Sequence, residues 1–239
     1  MSTVLETHYG IRGKAAAVIG NTPIGQAVAS LFDAAGARTC LLPTVGEGDV
    51  LDPCDEGAVA ERLSAFASAS GGLDILVYAA TRVGTYPLTQ MTLEQWDGIH
   101  NMNLRGAFVA MREAVKLMQG KRSGRIVAVS TMGSLHPVLH GNAGYSASKA
   151  GLNGLVRAVA ADHLADGILV NAVLPGAVAV GPIPEDAVSQ GGPATQPGRL
   201  VLGIGDADDV AAAVLYLASP AAKFITGQSL VLDGGFLVS

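Results

Sequence analysis

The chain is short of charge, of aromatic rings and of cysteine. Charged side chains make up 15% of its 239 residues, well below the ~25% of an ordinary globular domain. Much of it is therefore expected to be buried, in its own core or against other subunits. The net charge is −5 and there is no basic run, which leaves no electrostatic footprint for nucleic acid or an anionic membrane surface. Two cysteines, Cys40 in an expected strand and Cys54 in a turn, suit a reducing compartment and a structural role. No apolar run approaches the ~18 residues of a membrane span. The opening MSTVLETHYGIRGK places acid and polar residues before the first apolar run, unlike a secretory signal. The expectation is a soluble cytoplasmic protein without nucleic-acid or membrane partners.

What is present alternates between strand and helix. Residues 14–19 (KAAAVI) are short, apolar and followed at once by Gly20, as in a buried parallel strand. After a tight turn, Ile24, Val28, Leu31 and Phe32 recur at helical spacing up to Gly36, a natural stop. Residues 37–42 form a second strand, completing the strand, Gly-rich turn, helix, strand unit that binds dinucleotides. An abbreviated link follows, with Asp55 placed to cap a helix. Further strands are expected at 73–80, 125–130, 168–173 and in the closing SLVLDGG, with a helical segment through Trp96 and His100, a long helix over 103–119 and another running to 165. Residues 177–205, rich in Gly and Pro, are read as a lid over a site. The pattern predicts one α/β domain over 1–239, a Rossmann-like, doubly wound parallel sheet in three layers.

Within residues 130–151, Tyr145 and Lys149 stand four positions apart and share a helix face. A phenol titrates near ~10, and a neighbouring cation favours the phenolate and lowers that value. The pair reads as a tuned acid/base.

YSASKAGLNGL, ILVNAVLPG, DADDVAAAVLYLAS and FITGQSLVLDGG resemble, in the same order, segments of the short-chain dehydrogenase/reductase family. The resemblance implies a catalytic set: Tyr145 as general acid/base, Lys149 to lower its pKa and hold the nicotinamide ribose, and Ser130 to bond the substrate oxygen. Thr131 or Ser134 are alternatives for that hydroxyl, because the interval to Tyr145 is longer than the family's. Asn103 would support a water chain to the lysine. It further implies NAD or NADP bound by Gly20, Thr22, Ile24, Gly25, Asp52, Ala80, Tyr145, Lys149, Pro175 and Gly176, a carbonyl or secondary-alcohol substrate, no metal, and assembly as a homodimer or homotetramer. Asn171 and Asp233 would tie the sheet to the C-terminus. His136, His140 and His163 are read as loop or structural residues.

Four positions depart from the family on the cofactor side. The glycine-rich turn is IGNTPIG, one residue short, with Pro23 where a glycine is expected. Tyr78, Ala79, Ala80 and Thr81 replace NNAG, Pro53 follows Asp52, and Val180 replaces a threonine. Leu42, Pro43 and Thr44 carry no marker for NAD over NADP. Two readings follow: an NAD(P)-dependent oxidoreductase with an altered phosphate loop, or a cofactor-deficient partner of an active homologous subunit. Leu200, Val201, Leu202 and Ile204 in the lid hint at an apolar substrate.

Overall fold

In the computed structural model, which describes residues 3–179, 191–196 and 198–239, six parallel strands form one sheet. They are β1 (Ala15–Ile19), β2 (Arg38–Leu42), β3 (Ile75–Tyr78), β4 (Gly124–Val129), β5 (Ile168–Pro175) and β6 (Ser229–Leu232), in the order β2-β1-β3-β4-β5-β6. The chain winds outward from β1 to β2, then crosses back to β3 on the other side of β1 and continues outward. That reversal opens a crevice at the carboxyl ends of β1 and β3, where open α/β sheets place their ligands. The abbreviated link after β2 shortens this crossover, and among the described residues β2 is the edge strand.

Helices cover both faces, because strands such as AAAVI and ILVY are buried on both sides. On one face lie α3 (Glu56–Ser70), α5 (Gly106–Met118) and α6 (Ala143–Asp162), contributing Leu63, Ala110, Leu152 and Val156 to the core. On the other lie α2 (Pro23–Ala34) and α7 (Ala207–Ala218), contributing Val28, Phe32, Val210 and Val214. Each large apolar side chain so buried contributes about 1.5–3 kcal/mol. This is the three-layer, Rossmann-like architecture that the sequence pattern predicts.

Local chemistry sets the helix ends. The Asp55 side chain accepts from Ala58 N at 3.0 Å and Gly71 closes α3 in the left-handed region at φ 70°, as a C-terminal glycine does without steric cost. The helical segment expected through Trp96 and His100 is α4 (Leu93–His100), but two features escape the sequence pattern: a short helix α1 (Thr3–Tyr9) before β1, and a π-helical segment, Asn101–Arg105, through which α4 runs into α5. Such π-bulges inside α-helices recur at functional sites.

Both flanks of the expected lid are held. Ala179 N donates to Gly205 O at 2.9 Å, and His140 N donates to Gly191 O at 2.8 Å. Residues 180–190 and 197, with Val180 among them, lie outside the described residues. Leu200 packs against Met132, Val138 and Phe236, but Val201, Leu202 and Ile204 are exposed. Among the described residues no helix is long and apolar enough to cross a membrane.

Candidate active site

β4 delivers two hydroxyls to the crevice, and the extended backbone separates them. Thr131 continues the strand at φ −160°, ψ 151°, so adjacent side chains leave on opposite sides. Ser130 Oγ turns to the backbone and donates to Lys149 O at 3.4 Å. Ser134 Oγ donates to Thr131 O at 2.5 Å and accepts from Asn153 Nδ2 at 2.7 Å, which employs it in shaping the loop. The Thr131 hydroxyl donates to Pro175 O at 3.5 Å and accepts from Gly133 N at 3.2 Å, and with that of Thr81 it acts on the Tyr145 phenol. Ser130 and Thr131 both line the cavity that holds Tyr145.

Tyr145 and Lys149 lie one turn apart on α6 and open into a cavity of about 340 Å³ with Thr81, Ser130, Thr131, Pro175 and Gly176. A shallower hollow of about 390 Å³ lies beside the 131–145 loop, lined by His136 and Ala147, but neither Tyr145 nor Lys149 opens into it. Lys149 is 1% exposed, and its Nζ donates to Val129 O at 2.8 Å. Burial pulls its pKa down to about 7, since a low-dielectric setting disfavours the ammonium. The Nζ stands 5.9 Å from the centre of the Tyr145 ring. Burial likewise raises the Tyr145 pKa, and the Thr81 and Thr131 hydroxyls act against that rise. In the protein alone, desolvation is the largest influence on the phenol, and neighbouring hydroxyls supply the opposing effect.

Asn103 is wholly buried in the π segment. Its Oδ1 accepts from Arg82 N at 2.7 Å, and its Nδ2 donates to Arg82 O and to Ser148 Oγ, each at 3.0 Å. Ser148 Oγ donates in turn to Tyr145 O at 2.7 Å. Asn103 therefore clamps the loop after β3 to the helix carrying Tyr145. Its side chain positions the site.

Thr22 and Ile24 line the same cavity at the N-terminus of α2, where backbone N–H groups and the helix dipole favour anions. Pro23 occupies the first helical position, and the Thr22 hydroxyl accepts from Gly25 N at 3.1 Å while donating to Ala79 O at 3.3 Å. Of the first three helical positions, Pro23 has no N–H and Gly25 is capped, which leaves the Ile24 amide for a ligand. Gly20 and Gly25 do not line the cavity; they let the turn pack. At φ 108°, a Cβ on Gly20 would sit 2.3 Å from Ala80 N, and one on Gly25 would sit 1.9 Å from Gly20 O. Ala80 is buried behind this turn, while Asp52 is exposed and caps Cys54 N at 2.9 Å. Neither reaches the cavity.

The large ring of Tyr78 does not obstruct the crevice either. It packs on the α5 side, where its hydroxyl donates to Met102 O at 2.5 Å. Gly106 makes room there, since a Cβ would lie 2.4 Å from Tyr78 Oη and 2.7 Å from Pro53 Cβ. Sequence reasoning also missed Asn21, whose Oδ1 accepts from Thr44 N and Val45 N at 3.1 and 3.2 Å while its Nδ2 donates to Val45 O at 2.8 Å. No spacing signals this clamp on the segment after β2. Thr81 carried a signal, its replacement of a glycine, but no direction. Asn171 bonds Ile225 O and Gln228 N, and Asp233 accepts from Gly235 N and Leu237 N. These bonds fasten the C-terminus as expected. His136 and His140 are exposed, and His163 pairs with Asp166 at 2.8 Å.

Residues 18–237 match the family model described as enoyl-(acyl carrier protein) reductase. The 3-oxoacyl-[acyl-carrier-protein] reductase of Vibrio cholerae is 32% identical over 94% of this chain and 98% of its own length. The glucose 1-dehydrogenase of Gluconobacter oxydans is 32% identical over 89% and 87%. Among solved structures, a Burkholderia cenocepacia short-chain dehydrogenase in complex with NADP superposes with a TM-score of 0.81 at 30% identity, covering 95% of this chain and 99% of that one. A Sinorhizobium meliloti dehydrogenase/reductase gives 0.85 at 32%, covering 98% of each. With a family match spanning nearly the whole chain, and relatives alike in sequence and fold, the protein belongs to the short-chain dehydrogenase/reductase family of oxidoreductases.

Proposed function

We propose that this protein is an NAD(P)-dependent oxidoreductase that interconverts a carbonyl and a secondary alcohol. The observation that carries the reading is the meeting of Tyr145, Thr131 and buried Lys149 in one cavity that extends to the N-terminus of α2. The residues fit a nicotinamide dinucleotide. The Ile24 amide and the α2 dipole would favour a phosphate, and Lys149, Pro175 and Gly176 line the same cavity. When bound, that group would supply or accept a hydride.

The chain's own residues handle the proton. In reduction Tyr145 gives its phenolic proton to the substrate oxygen, and in oxidation the phenolate takes one from the alcohol. Thr131 donates a hydrogen bond to that oxygen, where charge develops in the transition state. Lys149, protonated, favours the phenolate. A pKa of about 7 lets it exchange a proton at neutral pH. Asn103 keeps α6 and the loop after β3 in register. We assign all of this to a single domain with a lid at 177–205. Assembly as a homodimer or homotetramer belongs to the same proposal. The cofactor-deficient reading has no support in the relatives, which are named reductases and dehydrogenases.

Titration with NADH and NADPH, followed by nucleotide fluorescence or heat, tests the reading. Saturable binding of one of them is expected, and no binding at millimolar nucleotide would refute it. Tyr145→Phe is then expected to abolish turnover with little loss of nucleotide affinity; unchanged turnover would remove the phenol from the acid/base role.

A further inference from the structure

The loop after β3 places Thr81, where the family pattern has a glycine, at the wall of the Tyr145 cavity. Its Oγ1 is fully buried and completes no hydrogen bond among the described residues, an unusual state for a hydroxyl, because burying an unpaired polar group costs free energy. A valine would fill the same space without that cost. Thr81 and Tyr145 line the same cavity, and the Thr81 hydroxyl is one of the two that act on that phenol. Asn103 holds the backbone of the next residue, Arg82, through two hydrogen bonds, so Thr81 is presented from a fixed loop.

We infer that Thr81 is a positioning residue for the acid/base: when Tyr145 ionises, the Thr81 hydroxyl donates a hydrogen bond to the phenolate oxygen. The phenolic proton passes to the substrate oxygen and Thr81 keeps its own, so nothing else changes hands. With Thr131, the phenolate has two neighbouring hydroxyls. The need for them follows from the surroundings. Lys149 is the single cation among the residues lining the cavity, and it is drawn to Val129 O. Arg82 directs its guanidinium toward α4, 2.7 Å from where a Cβ on Gly98 would stand. From β4 the facing group is the Thr131 hydroxyl, and from the α2 and β5 sides the lining residues carry no charge. Desolvation of the phenol is therefore opposed mainly by neutral donors.

This inference rests on Tyr145 as the acid/base, and its test needs neither cofactor nor substrate. The tyrosines are replaced uniformly by difluorotyrosine, whose more acidic phenol titrates while the protein is folded. The Tyr145 fluorine resonance is assigned by its absence from Tyr145→Phe. Thr81→Val is expected to raise the Tyr145 midpoint by about one unit, a tenfold change in its ionisation constant. Thr81→Ser, which keeps the hydroxyl, is expected to restore it. An unmoved midpoint in Thr81→Val would overturn the inference. So would an equal rise in Thr81→Ser, since that would report altered packing. A protein that binds no dinucleotide but shows the shift would sink the oxidoreductase reading and leave the Thr81–Tyr145 coupling standing.

Discussion

Replacing Lys149 with methionine converts a buried ionisable group into an apolar one of similar length, and the pH dependence of stability should change with it. In the folded chain the ammonium is disfavoured and titrates at about 7, against 10.5 when unperturbed. Below about pH 7 both folded and unfolded chains carry the proton, so this residue adds no slope. Between about pH 7 and the unfolded value the unfolded chain still binds the proton while the folded one has released it, and stability rises with pH. At about 1.4 kcal/mol per unit, the whole window corresponds to roughly 5 kcal/mol, an upper bound given relaxation around buried charges. The part between about pH 7 and pH 9 corresponds to about 3 kcal/mol. Methionine removes the slope and leaves Val129 O without its donor, a pH-independent loss of about 1 kcal/mol. Urea denaturation of both proteins at matched ionic strength, from about pH 6 to pH 9, gives the difference directly. Wild type should gain on Lys149→Met as pH rises above 7. A flat difference from pH 7 to pH 9 would show that Lys149 keeps its charge in the fold, and the reasoning from burial would fail.

Two further substitutions test the geometry. Thr131→Val should lower kcat by about 100-fold or more, as loss of a preorganised donor does, while Ser130→Ala should stay within a few-fold of wild type; the reverse ranking in steady-state kinetics would return the role to Ser130. Gly20→Ala forces a Cβ to 2.3 Å from Ala80 N at a positive φ and should cost about 2–4 kcal/mol, seen as a fall in Tm on the order of 10 °C. An unchanged Tm would mean that the turn relaxes freely.

Periodicity and turn chemistry were enough to read the architecture. The βαβ unit, the Asp55 cap and all six strands are local patterns, because burial on both faces of a parallel strand leaves an apolar run and a helix end needs a particular side chain. The spacing of Tyr145 and Lys149 is equally local, since one helical turn separates them. The π segment around Asn103 was not legible, as a single extra residue in a helical ladder leaves the hydrophobic pattern nearly intact.

Which hydroxyl serves the site lay beyond the sequence for a similar reason. Ser130, Thr131 and Ser134 offer the same chemistry within five residues, and a strand end aims neighbours in opposite directions, so only the backbone path separates them. The departures on the cofactor side that fall on described residues looked alike as letters but differ in space: Tyr78 and Pro53 pack away from the cavity around Gly106, whereas Pro23, with the Thr22 cap, alters the amides that would meet a phosphate. Thr81 showed as a lost glycine in the sequence and as an unpaired hydroxyl beside Tyr145 in the fold. The sequence by itself determined the family, the sheet and the one-turn spacing of Tyr145 and Lys149, because these are written in short-range patterns. Tertiary structure decided how that pair is tuned, because burial and unpaired dipoles belong to neighbours brought together from β3, β4 and α6.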